Sequence, residues 1–261
     1  MPADDDLALL SEAAQAAGDI AMKYFRHDPE MWDKPGGQGP VSVADLAVDD
    51  MLRTELLAAR PHYGWLSEES QGGPDRLKAE KVFIIDPIDG TRAFLSGQRH
   101  FAHSLAIAEH GRITAAVVYM PAADKLYIAS AGGGSSLNGA AIVPSGRRGF
   151  EGATVLSNAA NMKPDYWPHG VPPLDRHFRP SLAYRMCLVA EGRFDAMLTF
   201  RDAWEWDIAA GDLICREAGA LVTTPTGALP VYNSAMGSQP GLIAATTGVH
   251  EALVAARMAG G

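Results

Sequence analysis

The sequence is poor in cysteine. Cys187 and Cys215 are the only two in 261 residues, too few for a disulfide framework, and they share no C-x-x-C spacing that would signal a thiolate metal site. Both read as reduced, buried, small hydrophobes. Basic charge is also short. Twenty-two lysines and arginines face 31 acidic residues, and the formal net charge of −9 argues against nucleic-acid binding through a basic surface. No apolar run reaches the length of a membrane-spanning helix, and the N-terminal "MPADDDLALL" lacks the basic start and apolar core of a secretory signal. A cytoplasmic protein without membrane association is expected. Internal repeats and low-complexity tracts are missing too. The glycine run "GGGSSLNG" at 132–139 lacks dinucleotide-loop spacing and reads as a turn.

What is present is a globular balance, with 47% hydrophobic residues, enough for one large core or two fused domains. Residues 7–25 carry apolar side chains at helical spacing, and a second helix begins at Ser42 after the loop "HDPEMWDKPGGQGP". Short apolar runs at 63–67, 82–85, 103–111, 113–120 and 125–134 follow, two of their connections reading as hairpins, so a mostly antiparallel sheet is expected. After a boundary near 144–152 the pattern alternates strand and helix, ending in a helix over 249–258. Two parts are therefore expected: an N-terminal α+β part over 1–148 and a smaller C-terminal α/β part over 149–261.

The most informative stretch is "KVFIIDPIDGT" at 81–91. A run apolar on both faces delivers Asp86 from a low-dielectric wall, where an unpaired carboxylate is costly. Pro87 restricts the backbone between Asp86 and Asp89 and suggests a turn. "GTRAFLSG" then opens a short helix whose first amides suit an anion. Two carboxylates would repel that anion unless a divalent cation sat between them, and oxygen-only ligands suit Mg²⁺. A metal-assisted phosphate pocket is the consequence. The D-x-D-G-T pattern of haloacid-dehalogenase phosphatases is one residue shorter than D-x-x-D-G-T, which disfavours a covalent aspartyl mechanism. Further acidic residues stand at element ends: Glu68 and Glu69 in "SEES", Asp207 in "WEWDIAAG" and Asp45 in "VSVADLAVDD". Each has a structural reading as a solvated or helix-start carboxylate and a functional one as a metal ligand or base.

Together "SEES" at 67–70, "DPIDGT" at 86–91 and "WDIAAGDLICREAGA" at 206–220 resemble the inositol monophosphatase-like family of Mg²⁺-dependent, lithium-sensitive phosphatases. The likeness runs nearly the whole length, with Ser67 in place of the family's glycine before the glutamates. It implies a layered αβαβα fold. Glu68, Asp86 and the carbonyl of Ile88 would hold one metal; Asp86, Asp89 and Asp207 would hold a second; a third would share Glu68. Asp45 would pair with the Thr91 hydroxyl and activate water, while the amides of Gly90 and Thr91, with Asp89 and Asp207 beside them, would meet the phosphate. Lys34 matches a basic residue of a mobile loop over 34–40. A homodimer rests on the likeness alone.

The ester itself is less defined. Phe200 stands where the family's inositol-phosphate enzymes carry a glutamate that contacts sugar hydroxyls. "SLAYRMCLVAEGRFD" and "EWDIAAG" look more like the bacterial 3′(2′),5′-bisphosphate nucleotidase branch. On that expectation Arg179, Arg185 and Arg201 would hold a second phosphate, and Tyr184 or Trp204 would stack on adenine. Inositol-1-monophosphatase and histidinol-phosphatase are the alternatives within the family, and a non-catalytic regulatory binding protein is the alternative outside it. His100 and His103 are expected to be structural.

Overall fold

The structure, a computed structural model, describes residues 2–37, 39–70 and 72–258, with side chains from residue 5 onward. Among the described residues six α-helices form: α1 (Pro2–Tyr24), α2 (Val43–Ala59), α3 (Thr91–Leu95), α4 (Leu182–Ala190), α5 (Glu205–Ala218) and α6 (Thr247–Arg257). A two-stranded ribbon of β1 (Met31–Asp33) and β2 (Pro40–Ser42) joins α1 to α2. The large sheet runs in chain order through β3 (Gly64–Ser67), β4 (Lys81–Asp89), β5 (Ala102–Glu109), β6 (Arg112–Met120), β7 (Lys125–Ser130), β8 (Gly134–Leu137) and β9 (Ala140–Ala141). Only β3 and β4 pair in parallel; the rest are antiparallel, as the hairpin spacing leads one to expect.

A smaller sheet contains β10 (Thr154–Leu156), β11 (Asp175–His177), β12 (Ala196–Thr199), β14 (Leu221–Thr223) and β16 (Leu242–Ala245), in the order β11-β10-β12-β16-β14. Beside it β13 (Ala203–Trp204) pairs with β15 (Ser238–Gln239).

Strand alternation assigns each helix layer to a face. Phe83, Ile85, Leu105, Ile107 and Val117 bury against α1 and α2. Val82, Ile84, Ala106, Ala108, Ala116 and Val118 face the other way, into a core shared with α4 and α5. The alanines in that second set keep the strand surface low enough for α5 to lie across β4 to β8. The smaller sheet covers the far side of α4, and α6 packs outside it through Val249 and Leu253. The layers are therefore α1/α2, large sheet, α4/α5, small sheet, α6, the layered αβαβα fold expected from the sequence. The middle core draws residues from both sides of position 148. Among the described residues no helix is long and apolar enough to cross a membrane.

Candidate active site

Asp86 and Asp89 lie three residues apart, a spacing that points side chains to opposite faces of a regular strand. The stretch is not the turn that Pro87 suggests. β4 runs on to Asp89, and its register against β5 slips between Asp86↔Ser104 and Asp89↔Ala102. Two residues, Pro87 and Ile88, thus oppose His103 alone, and this bulge resets the alternation so that both aspartates can face one cavity. His103 Nδ1 bonds the Pro87 carbonyl at the bulge, and burial holds the imidazole down at about 4 and therefore neutral. This histidine is structural, as expected.

Asp207 arrives from the third position of α5. At the first position of that helix the Glu205 carboxylate accepts from the amides of Asn233 (2.6 Å) and Ser234 (3.1 Å). The Ser104 hydroxyl donates to the Trp206 carbonyl at 2.9 Å and fixes the helix start over β5. Carboxylate oxygens of Asp86, Asp89 and Asp207 all lie within 4.8 Å of one another.

Charge makes this assembly unstable as it stands. Burial, then the neighbouring charges of Glu68, Asp89 and Asp207, push Asp86 well above the ordinary carboxylate range. Burial, then Asp89 and Glu68, do the same to Asp207. Asp89 is raised by burial to about 6, even though Oδ2 accepts from the Ser181 hydroxyl and the Ala183 amide, each at 2.7 Å, at the N-terminus of α4. Asp86 Oδ1 is buried with no hydrogen-bond partner among the described residues. An orphaned carboxylate oxygen within an all-oxygen cluster fits a hard divalent cation.

Asp45 sits in the first turn of α2, 1% exposed. Its Oδ2 accepts from the Ser42 amide (2.8 Å) and hydroxyl (2.5 Å), closing a capping box, and its Oδ1 accepts from the Thr91 hydroxyl at 3.1 Å. Burial raises its pKa against those hydrogen bonds. The Thr91 hydroxyl also lies 3.2 Å from the Ile88 carbonyl. Gly90 holds φ +97°, and a Cβ there would stand 3.2 Å from the His100 carbonyl, so glycine is needed for the chain to turn from bulge into α3.

Glu68 lines the same cavity, but its carboxylate and that of Glu69 grip Lys34 Nζ at 2.8 and 2.7 Å. The two glutamates raise Lys34 although burial opposes them, and burial lifts Glu69 to about 7. Lys34, expected near the substrate, is thus an ion-pair partner of an expected metal ligand. Ser67 has a task of its own: its hydroxyl donates to Asp49 Oδ1 on α2 at 2.5 Å, tying the end of β3 to that helix.

The cavity measures about 620 Å³. Of the residues expected to bind a second phosphate and a base, only Arg179 lines it. Arg185 is 5% exposed; its Nε donates to the Arg179 carbonyl and its guanidinium covers the Phe178 ring at 4.5 Å, so it supports the wall from behind. Tyr184 is buried beneath His100, rings parallel at 6.0 Å, and Trp204 stacks on Trp206 rather than on the cavity. Arg201 is exposed elsewhere on the surface. Phe200 turns into the small-sheet core, against Trp167 and the Arg257 guanidinium. Conversely, His100 belongs to the cavity wall, and so do Arg92 and Phe178, which the motifs did not single out. Arg92 directly follows Thr91, so its position in the motif was the available signal.

The chain matches the model of the inositol monophosphatase family over residues 4–259. It is 37% identical over 197 residues to an inositol-1-monophosphatase of Rhizobium meliloti, covering 72% of this chain and 73% of the relative. It is 33% identical to the Nus factor SuhB of Pseudomonas aeruginosa, covering 85% and 86%. Among solved structures, the extragenic suppressor protein suhB of Bartonella henselae superposes with a TM-score of 0.83 at 28% identity, covering 98% of this chain and 99% of that one. On sequence, fold and the placement of its acidic motifs, this chain is a member of the inositol monophosphatase family.

Proposed function

We propose that the protein is a Mg²⁺-dependent phosphomonoesterase that hydrolyses a small phosphorylated metabolite by direct attack of water. The observation that carries this reading is the convergence of Asp86, Asp89 and Asp207 beside the Asp45–Thr91 pair. A bound divalent cation would supply the positive charge that offsets these carboxylates and the phosphate oxygens. Asp86, Asp89 and Asp207 would hold it, with Glu68 able to join once Lys34 releases it. The Thr91 hydroxyl donates to Asp45 Oδ1 and so presents its oxygen to accept a hydrogen bond from water entering the cavity; as that water attacks, its proton passes to Thr91 Oγ1 while the Thr91 proton passes to Asp45, whose basicity is raised by burial. Asp89 links this chemistry to α4 through Ser181 and Ala183, which ties the cavity floor to the start of that helix. Catalysis is then positioning and electrostatics without a covalent intermediate.

The relatives' names make inositol 1-phosphate a required substrate in any test. The adenine-nucleotide reading has lost the support of Arg185, Arg201, Tyr184 and Trp204, and retains Arg179. Phosphate release from a panel of inositol, nucleotide, sugar and histidinol phosphates, with Mg²⁺ and with EDTA, tests the proposal. Mg²⁺-dependent release that disappears in Asp207→Asn supports it. A folded protein that releases no phosphate from any ester would favour the non-catalytic binding role instead.

A further inference from the structure

The bulge that turns Asp86 and Asp89 into one cavity needs something to hold it. An extra residue in one strand leaves backbone groups out of ladder register, and a buried carbonyl without a donor is costly. Pro87 sharpens the problem because it brings no N–H of its own. A donor for its carbonyl comes from the neighbouring strand. His103, the residue that faces Pro87 and Ile88 alone, directs Nδ1 at the Pro87 oxygen. A carbonyl can only accept, so Nδ1 carries the ring proton and Nε2 is bare.

The surroundings show what that bond outweighs. His103 is 0% exposed. Its alternate neighbours on β5, namely Phe101, Leu105 and Ile107, belong to the core beneath α1 and α2, and its ring lies 6.3 Å from the rings of both Phe101 and Tyr119. In that apolar layer Nε2 is buried with no hydrogen-bond partner among the described residues. A valine or leucine would fill the place and orphan no acceptor. What neither could supply is the donor to Pro87. Ile88 shows the result, because it joins the same core as Ile85, where strict alternation would send it to the opposite face. Asp89, next along the chain, then turns to the side of Asp86. Ser104 has the matching part on the other face of β5, where its hydroxyl donates to the Trp206 carbonyl beside Asp207. Two consecutive residues of one strand thus set where all three carboxylates stand.

We propose that His103 is a positioning residue for the cation site: its Nδ1–H bond to the Pro87 carbonyl holds the bulge, and without that bond Asp86 and Asp89 no longer share the geometry that binds a divalent cation. His103 itself touches neither cation nor ester. This inference rests on the metal reading of the site given above.

Asparagine and glutamine separate the bond from the packing. An asparagine side chain can place its NH₂ near the position of Nδ1, whereas glutamine reaches toward that of Nε2, and neither fills the space of the ring. The full-length protein is titrated with Mn²⁺ by calorimetry, with no ester present. Kd should rise about tenfold or more in His103→Gln and in His103→Leu, and stay within about threefold of the unaltered value in His103→Asn. Melting in EDTA should nevertheless fall in His103→Asn and His103→Gln alike, since both lose ring packing. Equal Mn²⁺ affinity in all four proteins, or an asparagine variant as impaired as the leucine one, overturns the positioning role and leaves the metal reading intact. A crystal structure of His103→Gln or His103→Leu, grown without metal, reads the same point independently. Asp86 and Asp89 should have moved apart, and an unchanged bulge with both aspartates in the cavity refutes the inference. If the unaltered protein binds no Mn²⁺, the metal reading fails separately, and that crystal structure still decides whether His103 holds the bulge.

Discussion

Replacing Asp89 by asparagine should make the metal-free protein more stable while destroying its activity. In the fold, Asp89 Oδ2 accepts both the Ser181 hydroxyl and the Ala183 amide. An asparagine carbonyl placed there keeps both bonds, and its amide turns a donor toward the neighbouring carboxylates. What is lost is a buried charge. A carboxyl raised from 3.8 to about 6 weakens the folded state at pH 8 by about 3 kcal/mol. Desolvation of the amide takes back part of that, leaving a gain of about 1–3 kcal/mol. For a chain of this length the gain corresponds to a rise in Tm of about 3–10 °C. The sign follows from the raised pKa. Well below its unfolded value of 3.8 the carboxyl is protonated in folded and unfolded chains alike and the penalty is absent; it grows as pH rises and is complete above about 6. Thermal unfolding in EDTA at pH 8 and at pH 4.5 reads the effect, which should be clear at the first and small at the second. With Mg²⁺ at pH 8 the order should invert, because the unaltered protein gains the metal's binding energy and the variant does not. An asparagine variant that melts below the unaltered protein in EDTA at pH 8 would refute the reasoning.

Three further outcomes are expected. Lys34→Gln removes the ammonium that occupies Glu68 and Glu69, so the Mg²⁺ concentration for half-maximal phosphate release should fall several-fold; an unchanged Mg²⁺ titration would contradict competition between lysine and metal. Asp45→Asn should lower kcat by about 10²–10⁴ with little change in Mg²⁺ affinity, at a stability cost of about 1 kcal/mol from the weakened capping box. Gly211→Ala places a Cβ 2.7 Å from Met186 where α5 meets α4; unfolding should show a loss of about 1–3 kcal/mol, with activity reduced because α5 carries Asp207.

How much of this was legible in the sequence depends on the range of the interaction. The hairpin-linked sheet and the helices follow from local periodicity and turn residues and are observed, whereas the strand end expected at Asp86 is not, because β4 runs on to Asp89. The bulge was not legible, since nothing in "DPID" says that two residues will face one on β5; Pro87 suggested a turn instead. Long-range pairings were hidden for a related reason. Lys34 and Glu68 are 34 residues apart, and Asp89 and Ala183 are 94 apart, so only folding shows that they meet. Arg185, Tyr184 and Trp204 have side chains suited to a nucleotide, but residue type does not reveal direction. Two of them support the cavity wall from within the core, and the third stacks beside Trp206. His100 errs the other way: its likeness in spacing to His103 concealed that only one of them faces the cavity.

The central claim is that the three converging aspartates hold a divalent cation. Crystals of the full chain soaked in Mn²⁺ and measured for anomalous scattering test it most directly. The account predicts a strong peak among the carboxylates of Asp86, Asp89 and Asp207, absent from Asp207→Asn crystals treated in the same way. Saturating Mn²⁺ with no peak there, or a peak that persists undiminished in the variant, would contradict it.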